Sequence, residues 1–220
     1  MPITVAKSSG FCQGVKKAVD VAMNMSEPVA VYGELIHNES VLEKLREKGV
    51  ECINDLSEIN GRKLIIRSHG VVKDVYDYLE KNNVDYVDCT CVFVKKIHKI
   101  VHENYLAGKS IIIIGNPSHP EVIGINGWCE NSAIIYNGEE NVEFDDKKQY
   151  CLVVQTTYDH KKVELFNKFL QNNIKSLDRN NTICYTTFCR QEECDSLSKD
   201  SDLMLVLGSK NSSNTSKLFD

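Results

Sequence analysis

Proline and glycine are scarce, at four and 12 residues in a chain of 220, which excludes collagen-like repeats and linker-dominated sequence. Long hydrophobic runs are missing too: aliphatic stretches such as residues 111–114 fall far short of the roughly 20 residues that a membrane-spanning helix needs. Positive charge is not in excess. Lys and Arg number 26 against 31 Asp and Glu, a formal net charge of −5, so no global basic field holds a polyanion and nucleic acid is not expected as a partner. A small anionic substrate stays open, since it needs only a local pocket of donors. The opening Met-Pro-Ile-Thr-Val-Ala-Lys has none of the charged, apolar and small-residue order of a secretory signal, and the expectation is a cytoplasmic protein.

What is present is the balance of a globular fold. With 42% hydrophobic and 26% charged residues, the chain has enough apolar side chains for a core and too many for disorder. Nine cysteines in a cytoplasmic chain are expected to be reduced thiols, some free to bind metal, rather than a disulfide framework.

Strand, loop and amphipathic helix alternate along the chain. Ile3-Thr-Val-Ala reads as a strand, Ser8-Ser-Gly-Phe-Cys-Gln-Gly14 as a tight loop, and Val15, Ala18, Val19, Ala22 and Met23 as a helical stripe. Further strands are predicted at Val29-Ala-Val-Tyr, Lys63-Leu-Ile-Ile-Arg, Tyr86-Val, Ser110-Ile-Ile-Ile-Ile, Ala133-Ile-Ile-Tyr, Cys151-Leu-Val-Val, Thr182-Ile-Cys and Asp202-Leu-Met-Leu-Val-Leu, mostly with helices between them. This alternation predicts an α/β fold with mostly parallel sheets. The polar stretch 176–181 marks a domain boundary near residue 180. After the last strand a helix begins and stops at Asp220, so a return strand is lacking and the expectation is a piece of a longer polypeptide.

Three cysteines hold equivalent topological places. Cys12 lies in a glycine-flanked loop before a helix, where orphan amides and the helix dipole favour a thiolate ligand or nucleophile. Cys91 and Cys184 follow short predicted strands. In open α/β sheets ligands gather at the carboxyl ends of strands, so loops from separate units are able to bring these three thiols together as metal ligands. Cys52, Cys89, Cys129, Cys151, Cys189 and Cys194 read instead as structural side chains.

His37, His69 and His119 each follow an apolar strand and precede a helix, and are predicted to face one crevice. With Ser212, Ser213 and Asn214 opening a further helix, they suit a phosphate or diphosphate; capping of that helix is the equal alternative for the Ser and Asn side chains. No Walker loop is present. His98, His102 and His160 fall within helix patterns and read as surface residues. Glu121, two residues after His119, is able to donate a proton if burial raises its pKa.

Several strings taken together carry a family resemblance: Gly-Phe-Cys12-Gln-Gly-Val, Ile36-His37-Asn38, Ser68-His69-Gly70, Thr90-Cys91, His119-Pro-Glu121-Val, Gln155-Thr156-Thr157, Ile183-Cys184-Tyr, Arg190-Gln-Glu and Gly208-Ser-Lys-Asn-Ser-Ser-Asn214. In register from residue 3 onward, the chain resembles the hydroxymethylbutenyl diphosphate reductases, the last enzymes of the non-mevalonate isoprenoid pathway. The resemblance implies three similar parallel-sheet α/β domains around a central iron-sulfur cluster: residues 14–91, residues 92–180, and residues 1–13 with 181–220, the third incomplete at its C-terminal end. It also implies a 4Fe-4S cluster held by Cys12, Cys91 and Cys184, with one iron left free for substrate.

The implied reaction removes the allylic hydroxyl of 4-hydroxy-3-methylbut-2-enyl diphosphate to give isopentenyl and dimethylallyl diphosphates. By the same resemblance Glu121 supplies protons and Thr156 orders the hydroxyl and water network. His37, His69, His119, Ser212, Ser213 and Asn214 would hold the diphosphate, and a ferredoxin or flavodoxin would supply electrons. Family chains continue beyond this one with a further serine loop, and Pro117-Ser118 stands where smaller residues are expected. From the residues alone two rival readings stay open: a redox sensor that binds an iron-sulfur cluster or zinc through the same cysteines, and a cluster-free binding module.

Overall fold

Val29-Ala-Val-Tyr has no charged side chain to offer solvent, and in the computed structural model, which describes residues 3–138 and 142–219, it forms a largely buried strand. This is β1 (Val29–Tyr32), preceded by α1 (Gln13–Met23) and followed by α2 (Glu39–Glu47), β2 (Val50–Ile53), β3 (Lys63–Ile66), α3 (Lys73–Lys81) and β4 (Tyr86–Asp88). The strands pair in parallel in the order β2-β1-β3-β4. Alternation sorts their side chains: Val29, Val31 and Ile65 pack with α1 and α2, while Ala30, Leu64 and Ile66 pack with α3.

α4 (Val92–Leu106) leads to a second sheet of the same arrangement. β5 (Ser110–Ile114), α5 (Pro120–Asn126), β6 (Ile134–Tyr136), β7 (Tyr150–Val154), α6 (His160–Asn173) and β8 (Leu177–Arg179) give the parallel order β6-β5-β7-β8. The consecutive isoleucines of β5 are all buried, Ile111 and Ile113 with α4 and α5, Ile112 and Ile114 with α6. Each contributes roughly 1.5–3 kcal/mol of transfer free energy. α7 (Tyr185–Lys199) and α8 (Ser213–Phe219) follow. Among the described residues no helix is long and apolar enough to cross a membrane.

Three expected strands do not form. Residues 3–6, 182–184 and 202–207 are irregular, and Ile3, Val5, Leu203, Leu205 and Leu207 are exposed. A strand persists only beside a partner that takes its N–H and C=O groups, and no third sheet pairs these segments among the described residues. Residues 180–184 instead follow β7 through isolated bonds, Asn180 N–H to Leu152 O at 2.9 Å and Val154 N–H to Thr182 Oγ1 at 2.8 Å. β2 and β8, by contrast, are strands with little sequence signal. Both lie at sheet edges, where one flank faces solvent and polar residues such as Glu51 and Asp178 are tolerated. Cys52, read from the sequence as a structural side chain, is exposed on β2 for the same reason.

The two sheet units meet at α5 and the short 3-10 turn Gly127–Cys129. Trp128 stacks on His98 with ring centroids 5.0 Å apart and donates Nε1–H to Val71 O at 3.1 Å. His98 is thus buried rather than a surface residue, because α4 packs on the second sheet and turns it between Trp128 and Gly70. His102 and His160 are also drawn inward, the first to Trp128 O at 3.2 Å and the second to Gln191 Oε1 at 2.7 Å. A Cβ at Gly127 would fall 2.5 Å from Val72 Cγ1 and 2.9 Å from its Cα. Gly127→Ala is therefore expected to cost about 1–3 kcal/mol by overpacking this junction. The measurement is a lower urea midpoint at unchanged slope; an unchanged midpoint would show that the junction yields freely.

Candidate active site

In each sheet the strand order reverses beside the first strand, so the loops leaving β1 and β3, and those leaving β5 and β7, part around a switch point. These loops are residues 33–38, 67–70, 115–119 and 155–157. They hold four of the candidates, His37, His69, His119 and Thr156.

His37 leaves β1, His69 leaves β3 and His119 leaves β5, and their ring centroids lie 4.9, 5.6 and 6.3 Å apart. His37 Nδ1 bonds Glu34 Oε2 at 2.9 Å, and His119 Nδ1 accepts the Glu121 N–H at 3.2 Å at the start of α5. His37 Nε2 and His69 Nδ1 are buried with no partner among the described residues. Burial, aided by neighbouring rings and Arg67, holds His69 well below its ordinary 6.5 and pushes His119 down to about 4. Both are neutral at pH 7. One nitrogen from each ring lies within 4.8 Å of the others. Unpartnered ring nitrogens beside an arginine suit an anion better than a cation.

Glu121 sits in the first turn of α5 with 1% exposure. Its Oε1 accepts the Thr156 N–H and its Oε2 the Thr156 hydroxyl, both at 2.6 Å. Burial raises the carboxyl and the two Thr156 bonds lower it; burial prevails, and the group is pushed up to about 7. At neutral pH such a carboxyl both releases and regains a proton.

Cys12, Cys91 and Cys184 are the N-cap residues of α1, α4 and α7, and none makes a side-chain capping bond. Oxygen side chains cap α2 and α6, through Asn38 and Asp159. Cysteine at the caps of α1, α4 and α7 leaves each sulfur beside orphan amides with no capping duty. Cys12 and Cys184 are both near enough to act on Cys91, whose thiol is raised chiefly by burial against the pull of the Phe93 and Val94 amides. A Cβ at Gly14 would lie 3.1 Å from Cys91 Sγ and 3.9 Å from Cys12 Sγ, so this glycine keeps a space open between them. Cys184 is not the end of a strand; its N–H is held by Thr156 O at 3.0 Å.

The tail reaches the same region in part. Ser213 Oγ accepts from Thr157 Oγ1 at 2.9 Å and from Gln155 Nε2 at 3.3 Å, and lines a cavity of about 880 Å³ with His37 and His119. Ser212 Oγ caps the tail helix by accepting the Thr215 N–H at 3.4 Å, and Asn214 Oδ1 accepts from Thr187 Oγ1 at 3.3 Å; neither lines the cavity. The polar lining residues that were not among the sequence candidates include Arg67, Asn116, Gln155 and Lys210. Their signal was position, since Arg67, Asn116 and Gln155 follow directly, or one residue on, from buried apolar strands. Gln155 Oε1 takes the Asn116 N–H at 3.0 Å and ties two of the loops together.

Fold and site define a parallel α/β protein with a histidine-lined crevice at its switch points and three cysteines at helix N-termini. A family model described as LytB protein matches residues 3–220. The 4-hydroxy-3-methylbut-2-enyl diphosphate reductase of Clostridioides difficile is 46% identical over 227 residues, covering 99% of this chain and 81% of the relative. The enzyme of that name from Campylobacter hominis is 42% identical, covering 100% and 80%. Among solved structures, the E-1-hydroxy-2-methyl-but-2-enyl-4-diphosphate reductase of Plasmodium falciparum superposes with a TM-score of 0.86 at 30% identity, covering 95% of this chain and 69% of that one. A structure of (E)-4-hydroxy-3-methyl-but-2-enyl diphosphate reductase, described as the terminal enzyme of the non-mevalonate pathway, gives 0.77 at 32% identity, covering 99% and 80%. The chain belongs to the LytB family of 4-hydroxy-3-methylbut-2-enyl diphosphate reductases, which are oxidoreductases.

Proposed function

We propose that this chain carries out the reaction for which its relatives are named. 4-Hydroxy-3-methylbut-2-enyl diphosphate, two electrons and two protons would give isopentenyl or dimethylallyl diphosphate and water. The observation that carries the reading is Thr156, which bonds the buried acid Glu121 through its N–H and hydroxyl and holds the Cys184 N–H through its carbonyl. Proton source and thiol cradle are thereby one residue apart.

Cys12, Cys91 and Cys184 would hold a 4Fe-4S cluster. Their fit rests on free sulfurs at three helix N-termini and on the space left by Gly14. When bound, the cluster supplies electrons and, at the iron without a protein thiolate, a Lewis acid for the substrate hydroxyl oxygen.

The remaining roles belong to the chain. His37, His69, His119 and Ser213 bind the diphosphate, with Ser212 and Asn214, which cap and tether the tail helix, holding Ser213 in place for it. Glu121 delivers a proton from its carboxyl, and the Thr156 hydroxyl orients that carboxyl and the departing hydroxyl group. Residues 14–91, 92–180 and 1–13 with 181–220 form the three units of the proposal. Glu193 of α7 takes the Lys7 and Ser8 amides at 2.7 and 2.8 Å, and Arg190 donates to Ser8 O at 2.9 Å, which supports grouping the first segment with the last. A cytoplasmic location and a one-electron carrier such as ferredoxin or flavodoxin complete the reading.

The test is anaerobic reconstitution with iron and sulfide, followed by EPR or Mössbauer spectra with and without the hydroxymethylbutenyl diphosphate. A cluster whose spectrum shifts on addition of substrate is expected. A cluster indifferent to substrate would favour a redox sensor, and absence of iron a binding module.

A further inference from the structure

We infer that Arg67 is a further substrate-binding residue, donating through its guanidinium fork to the diphosphate in the crevice of His37, His69 and His119. The inference rests on the diphosphate reading of that crevice. Arg67 follows β3 directly, two residues before His69, and lines the same cavity as His37, His119 and Ser213.

Its donors are underused. A guanidinium carries five N–H groups in a rigid fork that matches phosphate oxygens, yet the hydrogen bond Arg67 makes is a long one, Nε–H to Gly70 O at 3.5 Å. Glu34 is the carboxylate that acts on it through space, and Glu34 is engaged by His37 Nδ1 at 2.9 Å. The fold also makes room for the group. A Cβ at Gly33 would overlap the guanidinium, coming within 3.1 Å of Cζ, and Gly33 has φ +74°, where a side chain is strained in any case. The glycine at the end of β1 thus admits an arginine from β3 into the crevice.

Electrostatics supply the need. His69 and His119 are held neutral by burial and by Arg67 itself, so at neutral pH these two rings offer N–H groups but no charge. A diphosphate carries several negative charges, and burying them requires a fixed cation. Arginine keeps its charge at any working pH even where burial lowers its pKa.

Calorimetric titration of inorganic diphosphate into the anaerobically reconstituted 220-residue chain and into its R67Q and R67K variants tests this. R67Q is expected to bind about 10- to 100-fold more weakly, the size of a lost charge-assisted contact. R67K, which keeps the charge and loses the fork, is expected to fall between the two. Binding by a folded R67Q within about twofold of the parent overturns the role of Arg67 and leaves the diphosphate site standing. If R67Q does not fold, R67K decides, and parity with the parent overturns the fork contact. Failure of the unsubstituted chain to bind diphosphate removes the crevice reading and this inference together.

Discussion

Glu121→Gln is expected to lower turnover by about a hundredfold or more while leaving diphosphate binding unchanged. Glutamine keeps the volume of the side chain and the carbonyl oxygen that accepts the Thr156 N–H, so α5 and the His119 it carries stay in place. What is lost is the proton. The substitution also has a signed effect on stability. Folding raises this carboxyl from its ordinary 4.5 to about 7, so between those values the folded chain holds a proton that the unfolded chain has released. The associated stability is complete below pH 4.5 and is lost as pH rises through about 7, a change of about 3 kcal/mol.

His69 and His119 are lowered by folding, and their slopes run the other way, with stability rising towards pH 6.5. The informative quantity is therefore the difference between variant and parent in urea unfolding from about pH 4.5 to 8. The variant is expected to gain on the parent up to about pH 7 and to stop gaining above it. Full turnover in Glu121→Gln, or a difference independent of pH, would remove Glu121 from proton transfer.

Cys184→Ser is expected to cut iron retained after reconstitution about tenfold or more, through loss of a soft thiolate ligand, and to abolish turnover. The change is well controlled because of where Cys184 stands. Serine is among the best N-cap residues, so α7 keeps its start, and the backbone bond from residue 184 to Thr156 O survives. The thermal midpoint of the iron-free protein should therefore hold or rise slightly. Cys189→Ser, one turn along the same helix, is expected to load iron normally. Equal iron in Cys184→Ser and the parent takes this residue out of the ligand set.

Much of this was legible in the residues. The four isoleucines of β5 announce a strand buried on both faces, and the recurring strand-loop-helix pattern announces parallel sheets. Cys12, Cys91 and Cys184, and His37, His69 and His119, could be picked out because each stands between an apolar run and a helix, or in a glycine-bracketed turn. Other features were hidden for definite reasons. Leu203, Leu205 and Leu207 alternate as a strand would, yet they stand exposed and unpaired, since local pattern records what a segment suits and not whether a neighbour exists. His98 is polar on a polar-looking helix and is buried because a tryptophan 30 positions away covers it. Arg67 looked like the end of a strand until Gly33, from another strand, was seen to leave it room.

The sequence by itself determined the chemistry available: three thiols at helix starts, three imidazoles in loops, an acid beside one of them, and the family to which they belong. Only the tertiary structure decided which of these act together and in what state. Glu121 is an ordinary carboxylic acid in the chain and a proton carrier near pH 7 in the fold, because burial raises it by more than the two bonds from Thr156, in the loop after β7, lower it. The same holds for the histidine crevice. Its geometry arises where two sheets, each reversing its strand order at the same place, turn their loops towards one another, and no local pattern encodes that distance.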